Sequence, residues 1–301
     1  MDPADRPRIG IDLGGTKIEG VVVQGPPDRP AVVKRLRVPT EADRGYEHIV
    51  DRVISLAREL GQATEPDASL GIGMPGSVNR EGRVKNSNTV CLNSTHFRQE
   101  VVERLGREVA FANDANCFAL AEARLGAGRG YRMVFGVILG TGVGGGLVID
   151  GRAREGPQSI CGEWGHMVLR PDSERVCYCG RRGCVETLLA GPWVERDYRE
   201  RGGGDVRLDE IITRRDSGEV LAAESVERWL DDYGRAMANL LNAFDPDAVV
   251  LGGGVSNCDC LYDEGRVRVA RYLFSDELLT PIVRHELGDS AGVLGAALLG
   301  E

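Results

Sequence analysis

Residues 9–25 (IGIDLGGTKIEGVVVQG) align without a gap on residues 135–151 (FGVILGTGVGGGLVIDG). Six of the seventeen positions are identical, and four of those six are glycine. The apolar positions correspond as well: Ile9 with Phe135, Ile11 with Val137, Val21 with Leu147 and Val23 with Ile149. Apolar runs on either side of a short glycine-rich break describe two strands joined by a tight loop. Two such units in 301 residues predict a duplicated domain, each half opening with strand, glycine loop and strand. Length alone agrees, since roughly 150 residues per domain gives about two. The competing reading is a likeness of composition between two glycine-rich hairpins.

The rest of the chain reads as α/β. Strands are expected at 8–12, 18–23, 31–38, 69–74, 108–112, 133–139, 147–150, 248–251 and 281–286. Helices are expected at 47–60, 97–105, 115–125, 219–244, 261–274 and 290–299. The longest carries a stripe of Val226, Trp229, Leu230, Tyr233, Met237, Leu240, Leu241 and Phe244 and is ended by Asp245-Pro246. Glycine supplies 41 of 301 residues, about 14% against the usual ~7%. The glycines cluster between apolar runs and are read as tight loops. Arg201-Gly-Gly-Gly is the one linker-like stretch.

Charge removes whole classes of function. Lys and Arg number 37 against 46 Asp and Glu, a net charge of −9, so the chain lacks the basic surplus that displaces counterions from nucleic acid. The first residues have no apolar core of a signal peptide. The longest uncharged stretch, 133–149, is full of glycine and short of a membrane span, so no membrane association is expected. Eight cysteines without an export signal imply a cytoplasmic, reducing setting, where clustered cysteines bind metal.

Gly140-x-Gly142-x-x-Gly145 and Gly71-x-Gly73-x-x-Gly76 match the dinucleotide fingerprint. That fingerprint must open a helix. Here a strand follows Gly145 and a polar, turn-rich stretch follows Gly76, so the reading fails. No Walker A loop is present. Glycine loops between strands still bind phosphate through successive backbone N–H groups. Three qualify: Gly14-Gly15-Thr16-Lys17, Gly140-Thr141-Gly142, and Gly253-Gly254 at the end of a strand. Thr16 adds a hydroxyl, Lys17 a cation, and Asp12 a carboxylate able to hold Mg²⁺ through water. A plain tight hairpin is the alternative for any one of them.

Five separated motifs occur in order: Asp12-Leu-Gly-Gly-Thr-Lys, Asn113-Asp114-Ala-Asn116, Leu139-Gly-Thr-Gly-Val-Gly-Gly, Gly162-Glu-Trp-Gly-His166, and Cys177-Tyr-Cys-Gly-Arg-Arg-Gly-Cys184-Val-Glu186. Together they resemble the ROK family (repressors, open reading frames and sugar kinases) over nearly the whole chain. The resemblance implies a duplicated, actin-like, hexokinase-type α/β fold with two domains around a cleft. It divides the chain into 1–113 plus 290–301, with the C-terminal helix returning, and 114–289, which carries a zinc module at 162–186. It also implies ATP with Mg²⁺, a hexose phosphorylated on its 6-hydroxyl, and a homodimer. Gly73-Met-Pro-Gly76-Ser77, Val84-Lys85-Asn86-Ser87-Asn88 and Leu92-Asn93 look most like bacterial fructokinases that also accept mannose. Residues 113–119 and 162–167 also look like N-acetylglucosamine kinases, so that sugar, or glucose, is the alternative. The first strand begins by Ile9, leaving no room for the helix-turn-helix of the family's repressors. A non-catalytic sugar sensor would be expected to lose Asp114 or the phosphate loops, and both are present.

His166, Cys177, Cys179 and Cys184 then supply one nitrogen and three sulfurs, a closed structural zinc set. Cys91, Cys117 and Cys161 read as core, and Cys258-x-Cys260 as a pair with no histidine near it. His48 and His96 read as surface residues. Asp114, just past a strand end, is the candidate base that takes the sugar hydroxyl's proton, with a helix N-cap as its competing role. Asn113, Glu163, His166 and Glu186 match family positions that hold sugar hydroxyls; Gly76, Ser77 and Asn88 join them through the resemblance. One His166 nitrogen is free to face the metal while the other meets a sugar hydroxyl. The glycine loops are expected to lie apart from the metal.

Overall fold

The computed structural model describes residues 6–64 and 67–300 of the chain. The polar start read as lacking a leader lies outside the described residues for positions 1–5. Two five-stranded sheets share one plan. The first is built from β1 (Arg8–Leu13), β2 (Lys17–Gln24), β3 (Ala31–Pro39), β4 (Ser69–Met74) and β7 (Ala110–Asn113), in the order β3-β2-β1-β4-β7. A small ribbon, β5 (Ser77–Val78) with β6 (Val84–Lys85), stands apart. The second sheet is built from β8 (Met133–Leu139), β9 (Val143–Ile149), β10 (Arg152–Ala153), β11 (Ala248–Gly252) and β12 (Ile282–Arg284), in the order β10-β9-β8-β11-β12. In the first, β1–β2–β3 is an antiparallel meander, while β4 and β7 add in parallel. In the second, β10 pairs antiparallel with β9, while β11 and β12 add in parallel. The repeat read from 9–25 and 135–151 is thus a repeat of topology.

The chain separates into two compact units. The first comprises Met1–Gly130, Gly146–Cys161 and Glu286–Glu301, and the second Tyr131–Gly145 and Gly162–His285. Helix α3 (Asp114–Leu125) lies in the first unit, where α9 (Ala291–Ala297) packs on it.

In the first unit, alternation along β1 and β2 sends side chains to two faces. Ile9, Ile11, Leu13, Ile18 and Val22 join the core that α1 (Tyr46–Gly61) completes with Ile49, Val50, Val53 and Leu60. Val21 and Val23 pack on Val293 and Ala297 of α9 instead. That helix comes close because of glycine. A Cβ on Gly10 would lie 2.3 Å from Val293 O, and one on Gly71 only 1.9 Å from Ala296 O. These glycines sit inside the expected strands 8–12 and 69–74, where a backbone passes directly over them. Helix α2 (Phe97–Leu105) adds Phe97 and Val101 to the core. Glu122 of α3 is fully buried and accepts hydrogen bonds from the backbone N–H groups of Ala127, Glu286 and Leu287. It pins the chain where it re-enters the unit.

In the second unit, α7 (Val220–Phe244) buries the expected stripe, and Phe244 tilts against Phe135 at 5.4 Å. It stops at Asp245, a left-handed C-cap ahead of Pro246. Short helices α4 (Glu186–Leu189), α5 (Gly191–Glu200), α6 (Leu208–Asp216) and α8 (Glu264–Tyr272) complete it. The glycine loop ends earlier than expected, since β9 begins at Val143. Gly145 is a strand residue whose Cβ would lie 2.8 Å from the Phe135 ring and 2.9 Å from that of Trp164. The expected linker is a packed turn, with Gly203 lying against the Tyr198 ring. No helix among the described residues is long and apolar enough to cross a membrane.

Candidate active site

Parallel strands deliver functional side chains at their C-terminal ends. In the first unit, Asp12 lies one residue before the end of β1, opposite Gly73 of β4, and Asp114 follows β7 on the far side of β4. Gly73 leaves room between them, its absent Cβ lying 3.6 Å from Asp12 Oδ1. Burial, then the neighbouring Asp114 charge, raises the Asp12 carboxyl to about 7. Burial also raises Asp114, against hydrogen bonds that favour its charge. The helix cap belongs to Asn113, whose Oδ1 accepts from Ala115 N at 2.8 Å. Asn113 Nδ2 donates to Gly76 O at 3.1 Å, tying the cap to the Gly76–Ser77 turn. Asp114 is thereby released from the capping role that competed for it, although its Oδ1 also accepts from Ala115 N.

A cavity of about 200 Å³ opens beside these groups, lined by Gly76, Ser77 and Asn113 together with Arg98, Asn116 and Cys161. Cys161, expected as core, is half-buried on its wall. Asn88 is exposed and does not line it. Asn93 braces its own turn, accepting from Ser87 N and donating to Ser87 O, both at 2.9 Å. The asparagines that suggested fructose therefore shape a loop or face solvent.

The first glycine hairpin is held by Thr40, whose hydroxyl donates to Gly14 O at 2.6 Å and whose N–H donates to Thr16 O. Gly15, Thr16 and Lys17 are exposed, and Lys17 pairs with Glu19 at 3.4 Å beside Arg35 and Arg37. His48, expected at the surface, is half-buried between Glu41 and Arg52.

In the second unit, the ligand atoms of His166, Cys177, Cys179 and Cys184 lie within 4.8 Å of one another. Zinc–sulfur bonds of ~2.3 Å set tetrahedral sulfur–sulfur edges near about 3.7 Å. Cys179 and Cys184 sulfurs are 3.6 Å apart, and Cys177 Sγ is 3.5 Å from His166 Nδ1. The donor set and its spacing fit a closed tetrahedral metal site. His166 Nε2 meets the Tyr178 hydroxyl at 2.9 Å, the position expected for a sugar hydroxyl. Glu163 opens the turn that carries His166.

Glu186 lies deeper than the sequence suggests. One carboxylate oxygen accepts from Val143 N at 3.1 Å, at the end of the second glycine loop, and the other receives the Cys177 thiol at 3.6 Å. The metal cluster and that loop are joined through one buried side chain, contrary to the expectation that they lie apart. Gly140 N donates to Gly142 O, and Gly191 N to Gly140 O, both at 3.0 Å. Gly253 has φ of +81°, and a Cβ there would lie 2.3 Å from Leu139 O. Thr141 and Gly140 edge a cavity of about 710 Å³, with Gly191 and Pro192 of α5, Gly254, Asp209 and Arg215. Its wall also includes Cys258 and Cys260, whose thiols burial pushes up to about 12 and about 11. Nothing in the spacing of Asp209, Arg215 or the two cysteines marked them as cavity residues.

Twin sheets of this topology, an acid pair at strand ends, and glycine turns edging a large cavity define an ATP-dependent sugar kinase of the duplicated, actin-like hexokinase type. The chain belongs to the ROK family, whose sequence model matches residues 8–301. An N-acetyl-D-glucosamine kinase of Photobacterium profundum is 37% identical over 300 residues, spanning 96% of this chain and 98% of the relative. The crystal structure of a ROK hexokinase from Thermus thermophilus superposes with a TM-score of 0.87 at 33% identity, covering 98% of this chain and 97% of that one. A ROK glucokinase from Streptomyces griseus in complex with glucose and AMPPNP gives 0.76 at 29% identity, covering 98% and 99%. These relatives favour the alternative sugars of the sequence reading over fructose.

Proposed function

We propose that the chain transfers the γ-phosphoryl group of Mg²⁺-ATP to the 6-hydroxyl of an N-acetylhexosamine, N-acetyl-D-glucosamine first. The observation that carries this is the 37% identity, over almost the whole of both chains, to a kinase named for that sugar. Asp114 takes the hydroxyl proton as the new oxygen–phosphorus bond forms. Burial raises its pKa and makes the ionised form a stronger base. Asn113, braced at Gly76, and Ser77 orient the sugar in the first unit. In the second unit, Glu186 positions the phosphate loop through Val143 N. The nucleoside enters the cavity edged by Thr141, Gly254 and Arg215. The N-terminus of α5, ten residues long, favours the phosphates there. The turns at Gly14–Lys17, Gly140–Gly142 and Gly253–Gly254 supply backbone N–H groups, and Asp12 holds Mg²⁺ through water. Zinc is the metal that suits one imidazole and three thiolates; with four protein ligands it supplies a fixed loop, not Lewis acidity.

Coupled-assay rates with ATP over N-acetylglucosamine, glucose, mannose and fructose test the reading. N-acetylglucosamine is expected to lead in kcat/KM by about tenfold or more. A panel led by fructose restores the first expectation, and turnover with none of them ends the kinase assignment.

A further inference from the structure

The carboxylate of Glu19 is 1% exposed and is met by three cations, Lys17, Arg35 and Arg37. Lys17 and Glu19 are two residues apart in β2, and Arg37 of β3 stands opposite Glu19, with Arg35 two residues before it. Period-two alternation turns these side chains to one face of the first sheet. Asp12, assigned above to Mg²⁺, stands opposite Glu19 on its other side, in β1. Arg37 grips the carboxylate with two groups, Nε on Oε2 and Nη2 on Oε1, both at 3.0 Å. Arg35 Nη1 donates to Oε1 at 2.8 Å and is itself tied to Ser290 Oγ at 3.0 Å. Lys17 Nζ is the loosest partner, 3.4 Å from Oε2. A buried charge left without partners is costly, and here the two arginines alone supply them. The Lys17 ammonium is half-exposed, a point charge on a flexible stem, so it can leave without stranding Glu19. Three cations on one carboxylate also leave a surplus of positive charge beside the Gly14–Lys17 turn, in a chain of net charge −9.

We infer that Arg37 is a positioning residue for the phosphoryl donor: by holding the Glu19 carboxylate itself, it frees the Lys17 ammonium to turn to a phosphate oxygen of the nucleotide. The inference rests on the reading of the Gly14–Lys17 turn as a phosphate site and names what keeps its cation available. Without the Arg37 guanidinium, Glu19 loses two of the four contacts given above, and its buried charge draws Lys17 inward. The phosphate then competes with a carboxylate for one ammonium. Arg37 is half-exposed as well, and its own charge would attract an anion directly. The two roles differ in one respect: the first needs Lys17, and the second does not.

The test is a double-mutant cycle on Lys17 and Arg37, read as the Kd of Mg²⁺-AMPPNP by calorimetry. Arg37→Met is expected to weaken binding by about three- to tenfold, and Lys17→Met by at least as much. The double variant should bind like Lys17→Met, because without the ammonium Arg37 has nothing to release. In Arg37→Met, the sugar KM and kcat at saturating ATP should stay as in wild type, which separates positioning from a general loss of structure. If Arg37→Met yields no folded protein, Arg37→Lys keeps a charge near Glu19 without the two-pronged grip and carries the same cycle. Losses that multiply in the double variant overturn the inference and give Arg37 a direct pull on the anion. An Arg37→Met variant that binds as tightly as wild type, beside a weakened Lys17→Met, also overturns it and leaves the phosphate reading of the turn standing. A Lys17→Met variant that binds like wild type defeats both.

Discussion

The turn after Leu13 and the turn after Leu139 occupy the same place in two sheets of the same plan, yet they are anchored by unlike chemistry. Thr40, just past the end of β3, braces the first, and the charges around it are on the surface: Arg37 and Lys17 are 50% and 45% exposed where they meet Glu19. Glu186 braces the second from below, buried and in contact with a metal-site thiol. Duplication supplied two equivalent backbones, and the residues outside the repeat decided what each became. The first unit acquired a pair of carboxyls raised by burial, suited to moving a proton. The second acquired a loop held by a buried carboxylate beside a cluster of metal-ligand side chains.

The largest effect should come from the first unit. Asp114→Asn keeps the size of the side chain and removes the base, so kcat is expected to fall by about 10²–10⁴. Metal content and sugar affinity should stay as in wild type. A kcat near normal would take the proton chemistry out of the first unit and dissolve the contrast.

The second test strikes the other side. Cys179→Ala leaves three ligands and should lose the metal, read by elemental analysis. With it goes the crosslink on the Cys177–Cys184 loop, so a lower Tm is expected in this variant. Metal loss with a Tm equal to wild type would show the cluster to be idle in the second unit.

The smallest effect lies in the pH dependence of stability. The folded pKa of Asp12, about 7, stands above its ordinary value of 3.8. The native state thus binds more protons than the unfolded chain between those values. Ionised Asp12 costs stability as pH rises from about 4 through 7, and the cost is absent below the lower value. Asp12→Asn should raise Tm relative to wild type at pH 8, with the gain shrinking toward pH 5. Thermal unfolding across that range checks it, and a Tm difference independent of pH would mean that Asp12 does not titrate there.

Much of the fold is legible because local pattern and tertiary role coincide. The stripe of α7 is a periodic signal over 25 residues, and its end at Asp245-Pro246 is local chemistry. The strands on either side of each turn carry alternating apolar residues that no other element explains. Gly145 misleads because its cause lies in the rings of Phe135 and Trp164, and the reason for glycine at Gly10 and Gly71 lies far along the chain, in the backbone of α9. The candidate site divides in the same way. The cysteines declare themselves by spacing, and Asp114 by its place after a strand. Glu186 reaches a backbone group 43 residues away. Asn88 and Asn93 mislead because a polar residue that shapes a turn reads, in one dimension, like one that meets a ligand.

The glycines beneath α9 also set an order of assembly during synthesis. Gly10 and Gly71 are made early, and the helix that needs their bare backbone lies in Glu286–Glu301. At ribosomal speeds of roughly 5–20 residues per second, making residues 131–285 takes on the order of 10 s. For that interval the face of β1 and β4 that receives α9 stands uncovered on the nascent chain. Val21 and Val23, which pack on Val293 and Ala297, wait with it. The first unit to emerge is therefore the last to close, and Glu122 secures the arriving segment only once Glu286 and Leu287 have left the exit tunnel.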